Sequence, residues 1–171
     1  EFAASAALLG HVETGKDIDG VSRDAFLRAG AGSAHWPSLA LALSQLQAPG
    51  TAAAPLPGLR NPESEQIAPQ RWVRDYRVRV PYADPVDGFQ RVSYVDVLKG
   101  RVAVPELRGR WILVGATAPA IGERLVVPDG YAAGPHLSAV DYQANVLNML
   151  LRGDAIVPLA LPMQLLPSIA L

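Results

Sequence analysis

No cysteine occurs among the 171 residues, which excludes disulfide scaffolds, thiolate metal sites and cysteine nucleophiles together while leaving the compartment open. Charge is scarce: 18% of the residues are charged and the formal net charge is -1. So balanced a chain offers no basic field for a nucleic acid backbone, and nucleic acid is not an expected partner. The histidines His11, His35 and His136 are scattered, without the i, i+4 spacing that presents two imidazoles to zinc. There is no phosphate loop with Lys followed by Ser or Thr, and no serine stands in a G-x-S-x-G elbow. Gly30 and Gly32 begin a G-x-G, but His35 occupies the place where a dinucleotide fingerprint needs its third glycine. Asp17 and Asp19 precede Gly20 as in a calcium loop, yet Gly15 and Phe26 fill the positions of its first oxygen ligand and its closing glutamate. These patterns predict no catalytic residue, no metal and no cofactor.

What is present is apolar and much interrupted. Half of the residues are hydrophobic, enough for one sizeable core, and fifteen prolines with fifteen glycines cut the chain into short segments. Ala3 to Leu9 reads as helix, with Gly10 as its stop and a short extended stretch at His11 and Val12. Asp17 to Gly20 is a turn, in which the carboxylates bond nearby amides. Pro37 suits the first position of a helix whose buried face is Leu39, Ala42, Leu43 and Leu46, closed by Pro49 and Gly50. Thr51 to Gln70 has no hydrophobic period and reads as a long surface loop. Tyr76, Val78 and Val80 alternate with Asp75, Arg77 and Arg79, the pattern of a strand with one dry and one wet face.

Ser93 with Asp96, and Ser138 with Asp141, are capping-box patterns that open two further helices, stopped by Gly100 and Gly153. The second of these predicts a buried stripe of Val140, Ala144, Leu147 and Leu151. Between them WILVG, Trp111 to Gly115, is a continuous apolar run of the kind that makes a central strand covered on both faces. Alternating strands and helices predict an α/β fold with a mixed or mostly parallel sheet and helices packed on it.

The ends add context. The start shows no basic n-region, and a chain that opens in what reads as mid-helix is expected to be a fragment. From Ala155 to Leu171 no residue is charged, which predicts the first turns of a membrane helix, with a Pro-rich tail packed on the core as the other reading. The expected organisation is a domain over 1–153 followed by the start of a transmembrane helix over 154–171.

Two candidate ligand-binding places emerge. WILVG runs into Ala116, Thr117 and Ala118, and the carboxyl end of a parallel strand is where α/β sheets place ligands. Thr117 offers a hydroxyl there and Arg124 a cation for an anion. The bland alternative is a turn that needs small residues to pack. Arg77, on the polar face of its strand, is the third candidate, against a merely solvated face for it and Arg79.

In chain order, GHV, DIDGVSR, PSLALAL, DYR, SYVDVLKGRV, LRGRWILVGATA and QANVLNMLL resemble the type 2 CHASE family, the sensory extracellular domains associated with bacterial cyclases and histidine kinases, from about residue 8 to 153. The most specific element is LRGRWILVGATA followed by Gly122, Arg124 and Pro128. Glu123 stands where the family usually has Asp, SAVDYQ replaces a Gly-Val-Glu-Ile-His run, and the family's amino-terminal strands are missing, so the chain is expected to be the C-terminal part of the domain. The resemblance implies a domain on the periplasmic or extracellular side of the cell membrane, after one membrane helix and before usually three more, that drives a kinase or nucleotide-cyclase output. It carries no ligand over. The expected function is therefore a signal-sensing module of a bacterial membrane receptor: not an enzyme, with a small-molecule ligand, membrane attachment through the C-terminal segment and a possible homodimer. A periplasmic α/β hydrolase-like enzyme, disfavoured because no nucleophile with a base can be named, and a ligand-free dimerisation module are the alternatives.

Overall fold

The structure, a computed structural model, describes residues 2–47, 55–64, 68–82, 88–118, 120–128 and 136–160. Its elements run α1 (Phe2–Ser5), β1 (Asp24–Ala31), β2 (Trp36–Pro37), α2 (Leu39–Gln47), β3 (Trp72–Arg79), α3 (Tyr94–Leu98), α4 (Val104–Leu107), β4 (Arg124–Leu125), β5 (Leu137–Ser138) and α5 (Ala139–Arg152). A three-stranded sheet of order β2-β1-β3 and a β4-β5 pair make up the strands, and every ladder is antiparallel. Helices and strands do alternate, so the mixed α/β reading holds, but the parallel sheet does not. β1 turns directly into β2 as a hairpin, and the chain then passes through α2 to the other edge of β1, where β3 pairs with it in the opposite direction. Among the described residues, parallel pairing survives only as the isolated bridges His11 to Ser38 and Val21 to Val126.

β1 carries the core although its sequence, DAFLRAGA, is poor in β-branched residues. Ala25, Leu27 and Ala29 are buried along one side, the alternation a strand imposes. Ala25 and Leu27 share one core with Ala40 and Leu41 of α2, Val78 of β3 with Val80 beyond it, Leu125 of β4, and Tyr142, Val146, Leu147 and Met149 of α5. Serine side chains cap α2 and α5, whereas Ser93 makes no side-chain cap bond at α3. Ser38, not Pro37, caps α2 by accepting from the Leu41 N–H at 3.2 Å, and Pro37 belongs to β2. Ser138 caps α5 by accepting from the Asp141 N–H, and Gly153 closes that helix in the left-handed region at φ 73°.

Both buried stripes are shifted from expectation. In α2 the buried residues are Ala40, Leu41 and Ala42, with Leu46 exposed; in α5 they centre on Tyr142, Val146 and Met149, with Leu151 exposed. Counting aliphatics alone hid Tyr142, which reaches the core through its ring. α1 ends at Ser5, short of Leu9. Gly10 is not a helix stop: a Cβ there would lie 2.7 Å from the Leu39 backbone, so glycine lets the chain lie directly on the start of α2.

The largest departure is WILVG. Residues 111–115 form no strand, and Ile112 and Val114 are 57% and 75% exposed, with Leu113 alone half-buried against the core. Without a ladder partner among the described residues, an apolar run has nothing to cover its faces. Residues 154–160 contain no helix, and no helix among the described residues is long and apolar enough to cross a membrane. The rest of the apolar segment, 161–171, and the expected helix stop at Pro49 and Gly50 lie outside the described residues.

These burials fix a contrast. Leu27→Ala should cost about 2–5 kcal/mol through lost contacts and a cavity, whereas Val114→Ala should stay within about 0.5 kcal/mol. Urea unfolding of both variants checks it; equal losses would mean that 111–115 is packed like β1.

Candidate functional site

Burial along β3 runs Val73, Asp75, then Val78 and, beyond the strand, Val80. The in-out alternation therefore inverts between Asp75 and Val78, and at the inversion stands Tyr76 with φ 54°, the left-handed region that a tyrosine seldom enters. This explains why Asp75, expected on the wet face, is only 3% exposed. The inversion is held from both sides. Asp75 accepts from the Tyr76 N–H at 2.8 Å, the Asn61 N–H at 2.7 Å and Arg60 Nε at 2.9 Å, and a Cβ on Gly58 would fall 2.7 Å from the Tyr76 carbonyl carbon. The described parts of the loop 51–70 are thus tied to β3, Leu59 bridging to Arg77.

Next to this inversion lies a cavity of about 250 Å³ whose wall includes Arg28, Ser33, His35, Arg60, Ser64 and Tyr76. Asp75 also borders it. The Arg60 guanidinium sits over the Tyr76 ring, 4.7 Å from its centroid. On the opposite wall, the turn between β1 and β2 folds so tightly that a Cβ on Gly30 would lie 2.4 Å from the Ser33 carbonyl oxygen and 2.8 Å from the His35 ring.

Further along the sheet sits a second charged group. The Asp24 carboxylate, 3% exposed, accepts from Arg77 Nε at 2.6 Å and Arg79 Nε at 3.1 Å, while the two arginines are 40% and 47% exposed. Asp17 stands 3.9 Å from Arg77 and pairs with Arg23 at 2.8 Å; Asp19 also pairs with Arg23, whose hydrogen bonds hold the Asp19 carboxyl below the usual carboxylate range. The DIDG turn is therefore a folded, ion-paired turn, with Asp19 accepting from the Val21 N–H and Gly20 at φ 79°. Behind Asp24, its backbone carbonyl accepts from the Tyr142 hydroxyl at 2.8 Å, and Tyr82 donates to the Ser22 carbonyl at 2.5 Å. Burial pushes both phenols well above their ordinary range, so they stay donors.

The three expected ligand residues fall in two places. Arg77 is in the Asp24 group. Thr117 and Arg124 are both exposed on either side of a turn in which the Ile121 and Gly122 N–H groups donate to the Ala118 carbonyl, each at 3.0 Å. Gly122 lies against the Ala116 carbonyl, so the turn does need a small residue there. Neighbouring Glu123 is held by Lys16 at 2.9 Å. No hydrogen bond or ion pair joins Arg77 to Thr117 or Arg124 among the described residues, and none of the three borders the cavity. The cavity's own residues escaped sequence reading because Arg28, His35 and Arg60 meet only through the β1 hairpin and the inversion at Tyr76. One available signal was the failed G-x-G at Gly30, which marks close backbone approach.

A model of the CHASE2 domain matches residues 2–170, nearly the whole chain. The chain belongs to the CHASE2 domain family. This is a family of sensory extracellular domains, and a signal-sensing, non-catalytic role is consistent with that membership. Neither the curated proteins nor the solved structures give a match. Within this CHASE2 domain, no group of three or more His, Asp or Glu among the described residues could hold a metal ion.

Two outcomes follow. The buried partner in the Asp24 group is the carboxylate, so replacing both Arg77 and Arg79 by Gln strands it and should cost about 3–5 kcal/mol. Asp24→Asn leaves half-exposed cations to water and should cost less, about 1–3 kcal/mol, and adding it to the double variant should restore part of the loss; chemical denaturation of the set reads this, and additive losses would dissolve the group. Separately, both ring nitrogens of His11 are buried without a hydrogen-bond partner, and burial lowers its pKa. The unfolded imidazole, at about 6.5, then takes up a proton before the folded one. Stability from neutral His11 is present above about pH 6.5 and lost as pH falls below it. His11→Leu should flatten the decline in unfolding free energy between about pH 7 and 5; an unchanged slope would assign it to other groups.

Proposed function

We propose that the chain is the extracytoplasmic sensing part of a bacterial membrane receptor, which binds a small molecule and relays its occupancy to a cytoplasmic kinase or nucleotide-cyclase output. Membership of a sensory extracellular family supports the sensing half of this reading. One contact carries the relay half: after α5 the chain returns to the sheet, where the Arg79 N–H donates to the Ile156 carbonyl at 2.8 Å. The exit toward the apolar C-terminal segment is thereby fastened to β3, the strand that forms the cavity wall. In this reading residues 154–171 lead into the membrane, α5 is the lever, and the occupant is a polar small molecule rather than nucleic acid. Thr117 and Arg124 offer one open surface for a ligand, Arg77 lies apart from them in the Asp24 group, and the cavity offers a second, concave place.

The exposed Trp111, Ile112 and Val114 favour one second reading, a module that dimerises a receptor without ligand.

The test belongs in the whole receptor. A reporter active only outside the cytoplasm, fused after Arg152, should be active. Tyr142→Phe, which leaves the Asp24 carbonyl without its donor, should change output severalfold at unchanged membrane level. A reporter active only in the cytoplasm, or an output indifferent to Tyr142→Phe, would overturn the reading.

A further inference from the structure

Four arginines project from β1 and β3, and three of them have a carboxylate: Arg74 pairs with Glu13, and Arg77 and Arg79 with Asp24. Arg28 does not. It stands directly across from Asp75 in the ladder, but Asp75 is already occupied by Arg60 and two backbone N–H groups. Among the described residues its one hydrogen bond runs from Arg28 Nη1 to the His35 carbonyl, at 3.3 Å. A half-buried arginine without a counter-charge is costly, and Arg28 lines the open cavity. We propose that this cavity binds a small carboxylate, gripped by the Arg28 guanidinium with Ser33 and His35 beside it.

The other groups agree with that occupant. Arg60 pairs with Asp75, so the Asp75 carboxylate is matched without Arg28. His35 Nδ1 lies 2.9 Å from the Ser33 carbonyl oxygen, which can only accept, so Nδ1 carries a proton and Nε2 has no protein partner. Nε2 can accept from a hydroxyl or amine on the ligand when neutral, or donate to its carboxylate when charged. A forked guanidinium suits a planar carboxylate through two parallel bonds. The volume, about 250 Å³, falls below the ~300–1,000 Å³ of drug-sized sites, so the occupant is small. The strained residue of β3, Tyr76, borders this cavity, while Gly58 packs against the Tyr76 backbone and Gly30 against Ser33 and His35 of its lining. Strain of this kind persists where a site needs it.

The proposal deepens the sensory reading and rests on it for the meaning of binding, not for binding itself. Malate, glutamate and inorganic phosphate are titrated into the chain by calorimetry and thermal shift, with chloride at matched ionic strength as the blank. Malate or glutamate should bind saturably and raise the melting temperature. Arg28→Gln should weaken that binding at least tenfold, Arg28→Lys less, and Arg101→Gln, in the exposed pair with Asp96, should leave it unchanged. Should Arg28→Gln fail to fold, the exposed Ser33→Ala replaces it, with a severalfold loss expected. No saturable binding, binding of phosphate alone, or binding that Arg124→Gln removes and Arg28→Gln spares would overturn the proposal. If the carboxylate fails while receptor output still responds to Tyr142→Phe, the site is refuted and the sensory reading stands.

Discussion

A carboxylate taken out of water must be met by cations and N–H groups or it will not stay charged, and the one on Asp24 gathers the fold around it. Its side chain holds Arg77 and Arg79 on β3, and its backbone carbonyl holds the Tyr142 hydroxyl of α5. The flanking residues continue the pattern: the Arg23 carbonyl accepts from the Val80 N–H, and Ser22 receives Tyr82. Two elements distant in sequence, β3 and α5, are thereby registered against the start of β1. Apolar burial supplies most of the stability, but it is non-directional. What sets β1, β3 and α5 against one another in a single arrangement is this set of directed bonds.

The parts legible in the sequence were those written in local chemistry. The DIDG turn, the Ser138 cap, the left-handed stop at Gly153 and the helices over 39–47, 94–98 and 139–152 each depend on neighbours within a few residues, and each is present. Other features depend on partners far along the chain. β1 was invisible because Ala and Gly have little strand preference, and only its pairing with β3 makes them a strand. WILVG was overread for the converse reason, since an apolar run becomes a central strand only where neighbours flank it. The stripe of α5 was misphased because a tyrosine, not an aliphatic, is its largest fully buried side chain.

Tyr76 combines both kinds of difficulty. A strict two-residue alternation places Asp75 outside and Tyr76 inside, and a single left-handed residue reverses the phase for everything on one side of it. No residue at position 76 announces this; a glycine would have, and tyrosine conceals it. The compensation sits elsewhere in the chain, in Gly58 and Asn61. The candidate cavity exists because of that reversal, so it could not have been read from the strand alone.

The same reversal bears on how a sensor of this form would work. Proximity between a site and an exit is not coupling; an element with two arrangements that both ends bias is needed. A left-handed tyrosine is strained by about 1–3 kcal/mol, comparable to what one charge-assisted bond from a small ligand contributes. From Tyr76 to Arg79 the strand spans about 10 Å at the usual rise per residue, and Arg79 binds both Asp24 and the chain leaving α5. An occupant that favoured one conformation of Tyr76 over another would shift that balance by no more than its difference in affinity for the two. Occupancy alone, with equal affinity for both, would change nothing at Ile156. A ligand that signals must therefore touch the Tyr76 wall as well as Arg28, which makes contact with both walls the requirement that separates an agonist from a mere occupant.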